Sequence, residues 1–249
     1  MGPPPKPAEW MAPMDLKEED ILGDQVGEHW YYRAKAAAML RMLRGTRLDS
    51  VLDVGAGSGF FARHLLDHTA ATEAICVDPN YPAERHEEQH GKPIGFVRSV
   101  DRFDGSLVLM MDVLEHVPDD AALLSEYVAR MRPGARVLIT VPAMPWMWSG
   151  HDVFLEHFRR YMLRQVDALV AGCGLHRIAS SYYFGLVLPL AAGVRLGRRL
   201  LPGDAAPGSD MKRYAAPVNA LLWRLCQAEL PIFTANRIAG LSVFALAQK

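Results

Sequence analysis

Short continuous apolar runs recur along the chain, separated by stretches whose apolar residues fall at helical spacing. Val51 to Val54, Ala74 to Val77, Ile94 to Val97, Ser106 to Asp112 and Arg136 to Val141 are runs of the first kind. Each predicts a strand, and Val51 to Val54 and Ser106 to Asp112 read as strands buried on both faces, as in a parallel sheet. Leu175 to Tyr183 predicts a sixth strand and Gly240 to Ala247 a seventh. His29 to Leu40 is alanine-rich and favours a helix. Leu123, Leu124, Tyr127, Val128 and Met131 form an apolar stripe on a second helix. Pro118-Asp119-Asp120 opens that helix, with proline in its first turn, and Arg132-Pro133-Gly134 closes it. Met162 to Gly172 predicts a third helix. Strands alternating with helices in this way predict an α/β domain. Pro79 to Pro93 is polar; it reads as a solvated loop or helix start in preference to a metal site built from His86 and His90.

The junction after the first strand changes this picture most. Gly55-Ala56-Gly57-Ser58-Gly59 joins that strand to the apolar helical pattern beginning at Phe60, and Asp53 lies two residues before it. Glycines at alternate positions let the backbone approach a ligand closely, because no Cβ intervenes. The dinucleotide fingerprint Gly-x-Gly-x-x-Gly is not met, since Phe60 stands where its third glycine would be. The closer spacing suits a short amino-acid tail better than a diphosphate. About 20 residues on, Asp78 ends the second strand where a ribose-binding carboxylate is expected.

At these residues the chain resembles the class I S-adenosylmethionine-dependent methyltransferases. Their first motif has this acidic-Gly-x-Gly-x-Gly form, and Asp112-Val113-Leu114-Glu115-His116-Val117 and Arg132-Pro133-Gly134-Ala135 also look like family features. The His29-Trp30-x-x-Arg33 segment resembles one that precedes the first strand in a bacterial subgroup active on small molecules and glycans. The resemblance implies a Rossmann-like, seven-stranded, mostly parallel sheet with an antiparallel last strand and an α-helical cap. It implies S-adenosylmethionine as methyl donor. Asp53, Gly55, Ala56, Gly57 and Gly59 would hold its methionine part and Asp78 its ribose, with Asp112 and Arg33 as further cofactor contacts. Trp30, Tyr32 and Arg33 would wall the methionine end, unless the first helix is simply a packing helix. Two rival readings remain open: a nicotinamide-dependent oxidoreductase, against which the glycine spacing argues, and a non-catalytic S-adenosylmethionine-binding partner subunit.

Composition narrows the acceptor. The 249 residues are 50% hydrophobic and 22% charged, with a formal net charge of -1, so no nucleic-acid partner is expected. Cys76, Cys173 and Cys226 are scattered and lack metal-type pairing, and no charged-then-apolar leader pattern opens the chain; both fit a cytoplasmic protein. Residues 1–20, proline-rich at their start, are expected to be disordered, leaving 21–249 as one domain. Pro142 to Tyr161 departs from regular structure, and Met144, Trp146, Met147, Trp148 and His151 there suggest an apolar substrate wall, the alternative being a hydrophobic loop tucked under a neighbouring helix. Residues 184–237 exceed the minimal fold. They hold an amphipathic helix over 186–201 with Arg195, Arg198 and Arg199, a Gly/Pro/Ala linker over 202–210, and a helix over 216–230. The first helix reads as a lid over the acceptor site or as a helix resting on a membrane surface. A small-molecule or lipid-linked acceptor, methylated on a hydroxyl in preference to nitrogen or carbon, is the expected substrate.

Asp112, Glu115 and His116 fall at i, i+3 and i+4, so one helical turn would place all three on one face. With His157 they resemble the divalent-metal site of methyltransferases acting on catechols or terminal ribose hydroxyls, although Asp112 stands where those sites carry Glu. The resemblance makes Glu115, His116 and His157 the candidate catalytic residues. A metal-free site with His116 as general base is preferred here to a metal site, and a purely structural role for Glu115 and His116 is the third reading.

Overall fold

The computed structural model describes residues 23–200 and 214–249. The expectations for residues 1–20 and for the 202–210 linker, and those resting on the side chains of Arg198 and Arg199, lie outside the described residues. Eight strands form one sheet: β1 (Ser50–Val54), β2 (Glu73–Val77), β3 (Arg85–Gln89), β4 (Lys92–Val97), β5 (Leu107–Met111), β6 (Arg136–Pro142), β7 (His176–Tyr183) and β8 (Ser242–Gln248). Their order is β3-β4-β2-β1-β5-β6-β8-β7. β4, β2, β1, β5 and β6 run parallel, while β8 is antiparallel to both β6 and β7. The seven strands expected from the apolar runs are present, with the antiparallel last strand.

Burial explains why those runs were visible. Every residue of β1 and of β5 is buried. Val51, Leu107 and Leu109 pack on one face with α1 (Trp30–Met42) and α2 (Phe60–His68). Leu52, Val54, Val108 and Met110 pack on the other with α3 (Asp120–Arg130) and α5 (Leu163–Gly172). A strand covered on both sides has no polar face to show.

The eighth strand is β3, where a loop or helix start was expected. His90 (φ 50°) and Gly91 (φ 76°) make the two-residue turn that pairs β3 with β4, the left-handed geometry that tight hairpins need. Its side chains stay polar because the pairing is at the sheet edge. Arg85 stacks 3.7 Å from the Phe96 ring centre, and Glu87 pairs with Arg63 and Arg85. Pro118 is also displaced from its expected role. α3 starts at Asp120 with Asp119 as its cap, its side chain accepting from the Ala122 N–H at 2.9 Å, so Pro118 precedes the cap.

Two helices follow β7. α6 (Leu188–Leu200) runs along the carboxyl edge of the sheet, and α7 (Ala216–Glu229) packs on α1, where Asn219 accepts from the Trp30 N–H at 2.9 Å. The short α4 (Gly150–Phe154) lies between β6 and α5. Among the described residues, no helix is long and apolar enough to cross a membrane.

Candidate active site

β1 and β5 are neighbours although β1 is followed in sequence by β2, so their carboxyl ends form the switch point at which open α/β sheets bind ligands. The glycine turn leaves β1 there. Gly55, Gly57 and Gly59 all have left-handed φ (66°, 49° and 74°), which accounts for glycine at alternate positions. At Gly59 a Cβ would also stand 3.0 Å from Cys76 Sγ and from the Phe96 ring. Asp78, buried at the end of β2, accepts from the Asn80 N–H at 2.8 Å and from the Gly57 backbone, and burial raises its carboxyl above the ordinary value. The Asn80 side chain also bonds this carboxylate, which stands beside a Cβ-free turn as a ribose-binding acid would. The cradle therefore fits the nucleoside part of S-adenosylmethionine.

Two expected cofactor contacts are placed elsewhere. Asp53 is buried and accepts from the Ala62 N–H at 3.2 Å, tying strand to helix, and burial lifts its carboxyl to about 7. It braces the glycine turn from behind. Arg33 is exposed, with its guanidinium 4.3 Å from the Trp223 ring centre on α7, so its charge is turned away from the cradle.

A cavity of about 440 Å³ opens beyond the carboxyl ends of β5 and β6. Trp30, Tyr31 and Tyr32 of α1 form one wall, and Leu190, Ala191 and Val194 of α6 form another. The expected tryptophan wall is not there: Trp146 is exposed, and neither it nor Trp148 belongs to the lining, whereas His151 does. Met144 and Met147 are buried in the core.

Asp112, Glu115, His116, His157 and Arg160 line the floor. The helical turn that was to gather Asp112, Glu115 and His116 does not form. Asp112 sits at φ 58°, ahead of a 3-10 turn over Leu114–His116, and its side chain is directed to α1. There it pairs with Lys35 and accepts from the Tyr31 hydroxyl at 3.1 Å and the Thr140 hydroxyl at 3.1 Å. Lys35 is wholly buried and Asp112 keeps 29% of its side-chain exposure. Burial opposes both charges, but their mutual attraction prevails: the Lys35 ammonium is raised and the Asp112 carboxyl lowered. Lys35 escaped the sequence reading. The signal was present, since Lys35 shares the buried stripe of Ala38, Met39 and Met42 at helical spacing.

The other three residues do come together. One potential ligand atom from each of Glu115, His116 and His157 lies within 4.8 Å of the others, the one such group found among the described residues. The two imidazole rings meet edge to face with centroids 4.5 Å apart. Glu115 is 1% exposed, and neither of its carboxylate oxygens has a hydrogen-bond partner. Burial, then the Asp112 charge, pushes its carboxyl well above the usual range. His116 Nδ1 is likewise buried without a partner, and burial together with His157 lowers its imidazole to about 3. A buried carboxyl and a buried imidazole nitrogen without partners, grouped with a second imidazole, are what a divalent cation would satisfy, and mixed carboxylate–imidazole donors suit one. His86 and His90 lie on the distant β3 hairpin, where His90 Nδ1 is 2.7 Å from Asp67.

Residues 28–179, more than half of the chain, match the methyltransferase domain family. A ubiquinone biosynthesis O-methyltransferase of Paramagnetospirillum magneticum is 36% identical over 104 residues, which are 39% of this chain and 41% of that protein. An uncharacterized methyltransferase of Mycobacterium sp. is 34% identical over 116 residues, 44% of this chain and 45% of that one. The chain thus spans less than half the length of these two curated relatives. Among solved structures, a SAM-dependent methyltransferase from Archaeoglobus fulgidus shares the fold at TM-score 0.51 and 17% identity, covering 94% of this chain and 99% of that one. The putative methyltransferase of Haloferax volcanii in complex with the Trm112 activator does so at TM-score 0.54 and 16% identity, covering 94% of each chain. The glycine turn, the sheet order with its antiparallel β8 and the match over residues 28–179 together show that the chain belongs to the class I S-adenosylmethionine-dependent methyltransferases, with S-adenosylmethionine as its cofactor.

Proposed function

We propose that the chain methylates a hydroxyl oxygen of an apolar acceptor held in the cavity, beside a divalent cation bound by Glu115, His116 and His157. The observation that carries this is the partnerless Glu115 carboxylate and His116 Nδ1 on the cavity floor, within reach of His157. Sequence alone favoured a metal-free base; the grouping of partnerless Glu115 and His116 with His157 moves the preference to a cation. Asp112 takes no part in that set, because Lys35 and Tyr31 hold it.

When bound, the cofactor would supply an electrophilic sulfonium methyl group and leave as S-adenosylhomocysteine, and the cation would lower the pKa of a neighbouring hydroxyl, so that its proton passes to solvent, and fix its position. The chain's own residues then have three tasks. The turn from Gly55 to Gly59 and Asp78 hold the cofactor at the carboxyl ends of β1 and β2. The aromatic wall of α1 and the apolar wall of α6 orient the acceptor and exclude water. Proximity and alignment supply much of the rate for a displacement of this kind. The acceptor suited to these walls carries adjacent oxygens on an apolar body, which includes small aromatic diols and lipid-linked ones.

The name of the Paramagnetospirillum relative supports oxygen as the methylated atom. Leu190 and Val194 of α6 both line the cavity and remain more than half exposed, so we read α6 as a lid on the acceptor site. Turnover over a panel of catechols, monophenols, alcohols and amines tests the proposal. Diol methylation that disappears on chelation and returns with Mg²⁺ or Mn²⁺ is expected. Full activity after exhaustive chelation would return the assignment to His116 acting as a base without metal.

A further inference from the structure

His157 belongs to the cluster only if its ring presents a lone pair, and that depends on which nitrogen carries the proton. Its Nδ1 lies 3.0 Å from Asp152 Oδ1. Asp152 is 0% exposed and occupies the third position of α4, where its Oδ2 accepts from the Ser149 N–H at 2.8 Å and the Ser149 hydroxyl at 3.3 Å. Its Oδ1 also accepts from Arg160 Nε at 2.6 Å. Arg160 is itself buried and donates from Nη1 to the Ala143 carbonyl at 3.0 Å. A carboxylate held against a buried guanidinium is an acceptor only. In the neutral ring the proton of the Asp152–His157 bond therefore belongs on Nδ1, which leaves the lone pair on Nε2.

The backbone enforces the same arrangement. Glu156 adopts φ 58°, which folds the chain back so that the His157 N–H donates to the Asp152 carbonyl at 2.9 Å. The next N–H, of Phe158, donates to the Glu115 carbonyl at 2.7 Å and ties this segment to the 3-10 turn bearing Glu115 and His116. Burying Asp152 and Arg160 gains little stability by itself, since a buried ion pair is often matched by apolar residues of similar volume.

We infer that Asp152, secured by Arg160, is a positioning residue that sets the tautomer of His157 and so completes the Glu115–His116–His157 site. The inference rests on the cation reading above. Carboxylate partners of this kind orient ligand histidines generally, and their loss weakens metal affinity by about 10–100-fold.

Two measurements on the full chain test it. In the metal-free protein, nitrogen-15 shifts of His157 should show the Nδ1–H tautomer; an Nε2–H ring overturns the inference whatever the protein binds. Calorimetry with Mn²⁺ should then show wild-type uptake and an affinity about 10–100-fold lower in the double variant Asp152→Leu/Arg160→Met. That variant removes both charges together and should melt near wild type. Asp152→Ala, which also removes the acceptor for Nδ1–H, provides a second variant if the double one does not fold. Undiminished Mn²⁺ affinity in a folded variant overturns the positioning role alone. No Mn²⁺ uptake by wild type, by contrast, overturns the cation reading and this inference with it.

Discussion

Replacing Lys35 by Met removes one partner of the Lys35–Asp112 pair while keeping most of the side chain's length and apolar volume. Lys35 is 0% exposed and Asp112 29% exposed, so the abandoned carboxylate keeps partial access to water. Breaking a fully buried pair costs about 3–5 kcal/mol, and this partial access places the expected loss near the lower end, about 3 kcal/mol. For a chain of this size each kcal/mol moves the melting temperature by roughly 2–4 °C, so a fall of about 6–12 °C is expected. The double variant Lys35→Met/Asp112→Asn should regain more than half of that, since the two residues are coupled. The sign with pH follows from the two shifts. The lowered Asp112 carboxyl contributes stability above its unfolded value, lost as pH falls through the folded one. The raised Lys35 ammonium contributes below its unfolded value, lost as pH rises through the folded one. The gap between wild type and Lys35→Met should therefore be widest between roughly pH 5 and 9 and close on either side. Thermal melts by circular dichroism across that range are the assay. A Lys35→Met protein melting within a degree or two of wild type would refute the buried pair.

Glu115→Met should raise the stability of chelated protein by about 1–3 kcal/mol, because it removes buried acceptors without partners; the same variant should lose turnover, as read by melts and activity side by side. Asp78→Ala should weaken S-adenosylmethionine binding by about 1–3 kcal/mol in calorimetry, and unchanged affinity would make Asp78 a turn residue only. Leu190→Asp on α6 should abolish turnover with cofactor affinity intact if α6 is a lid. Loss of sedimentation with anionic liposomes, at unchanged turnover, would instead make α6 a membrane-surface helix.

What the sequence made legible follows from burial. β1, β5 and β6 read as strands because both faces are covered, and the glycine turn was legible because left-handed backbone at Gly55, Gly57 and Gly59 restricts the residue type. Asp78 was singled out from motif spacing, and Glu115, His116 and His157 from a resemblance to a family metal site; the structure brings the last three together. The failures are tertiary. Periodicity does not reveal that a lysine on an alanine-rich helix meets an aspartate 77 residues away, nor that Arg33 faces Trp223 rather than the cofactor. Asp53 looked like a ligand contact because its motif position is right, but its carboxylate turns inward to Ala62. β3 carries no apolar face, and the sequence around Asp152 and Arg160 shows neither their mutual contact nor that with His157, because that contact is made only by the fold.

The central claim is that Glu115, His116 and His157 form a cation site beside the methyl-transfer cleft. Anomalous diffraction at the manganese edge, from crystals grown with S-adenosylhomocysteine and Mn²⁺, tests it most directly. The account predicts an anomalous peak bounded by the Glu115 carboxylate and the His116 and His157 rings, with the cofactor product over Gly55 to Gly59 and Asp78. Clear density for S-adenosylhomocysteine with no anomalous peak among those three side chains would contradict it.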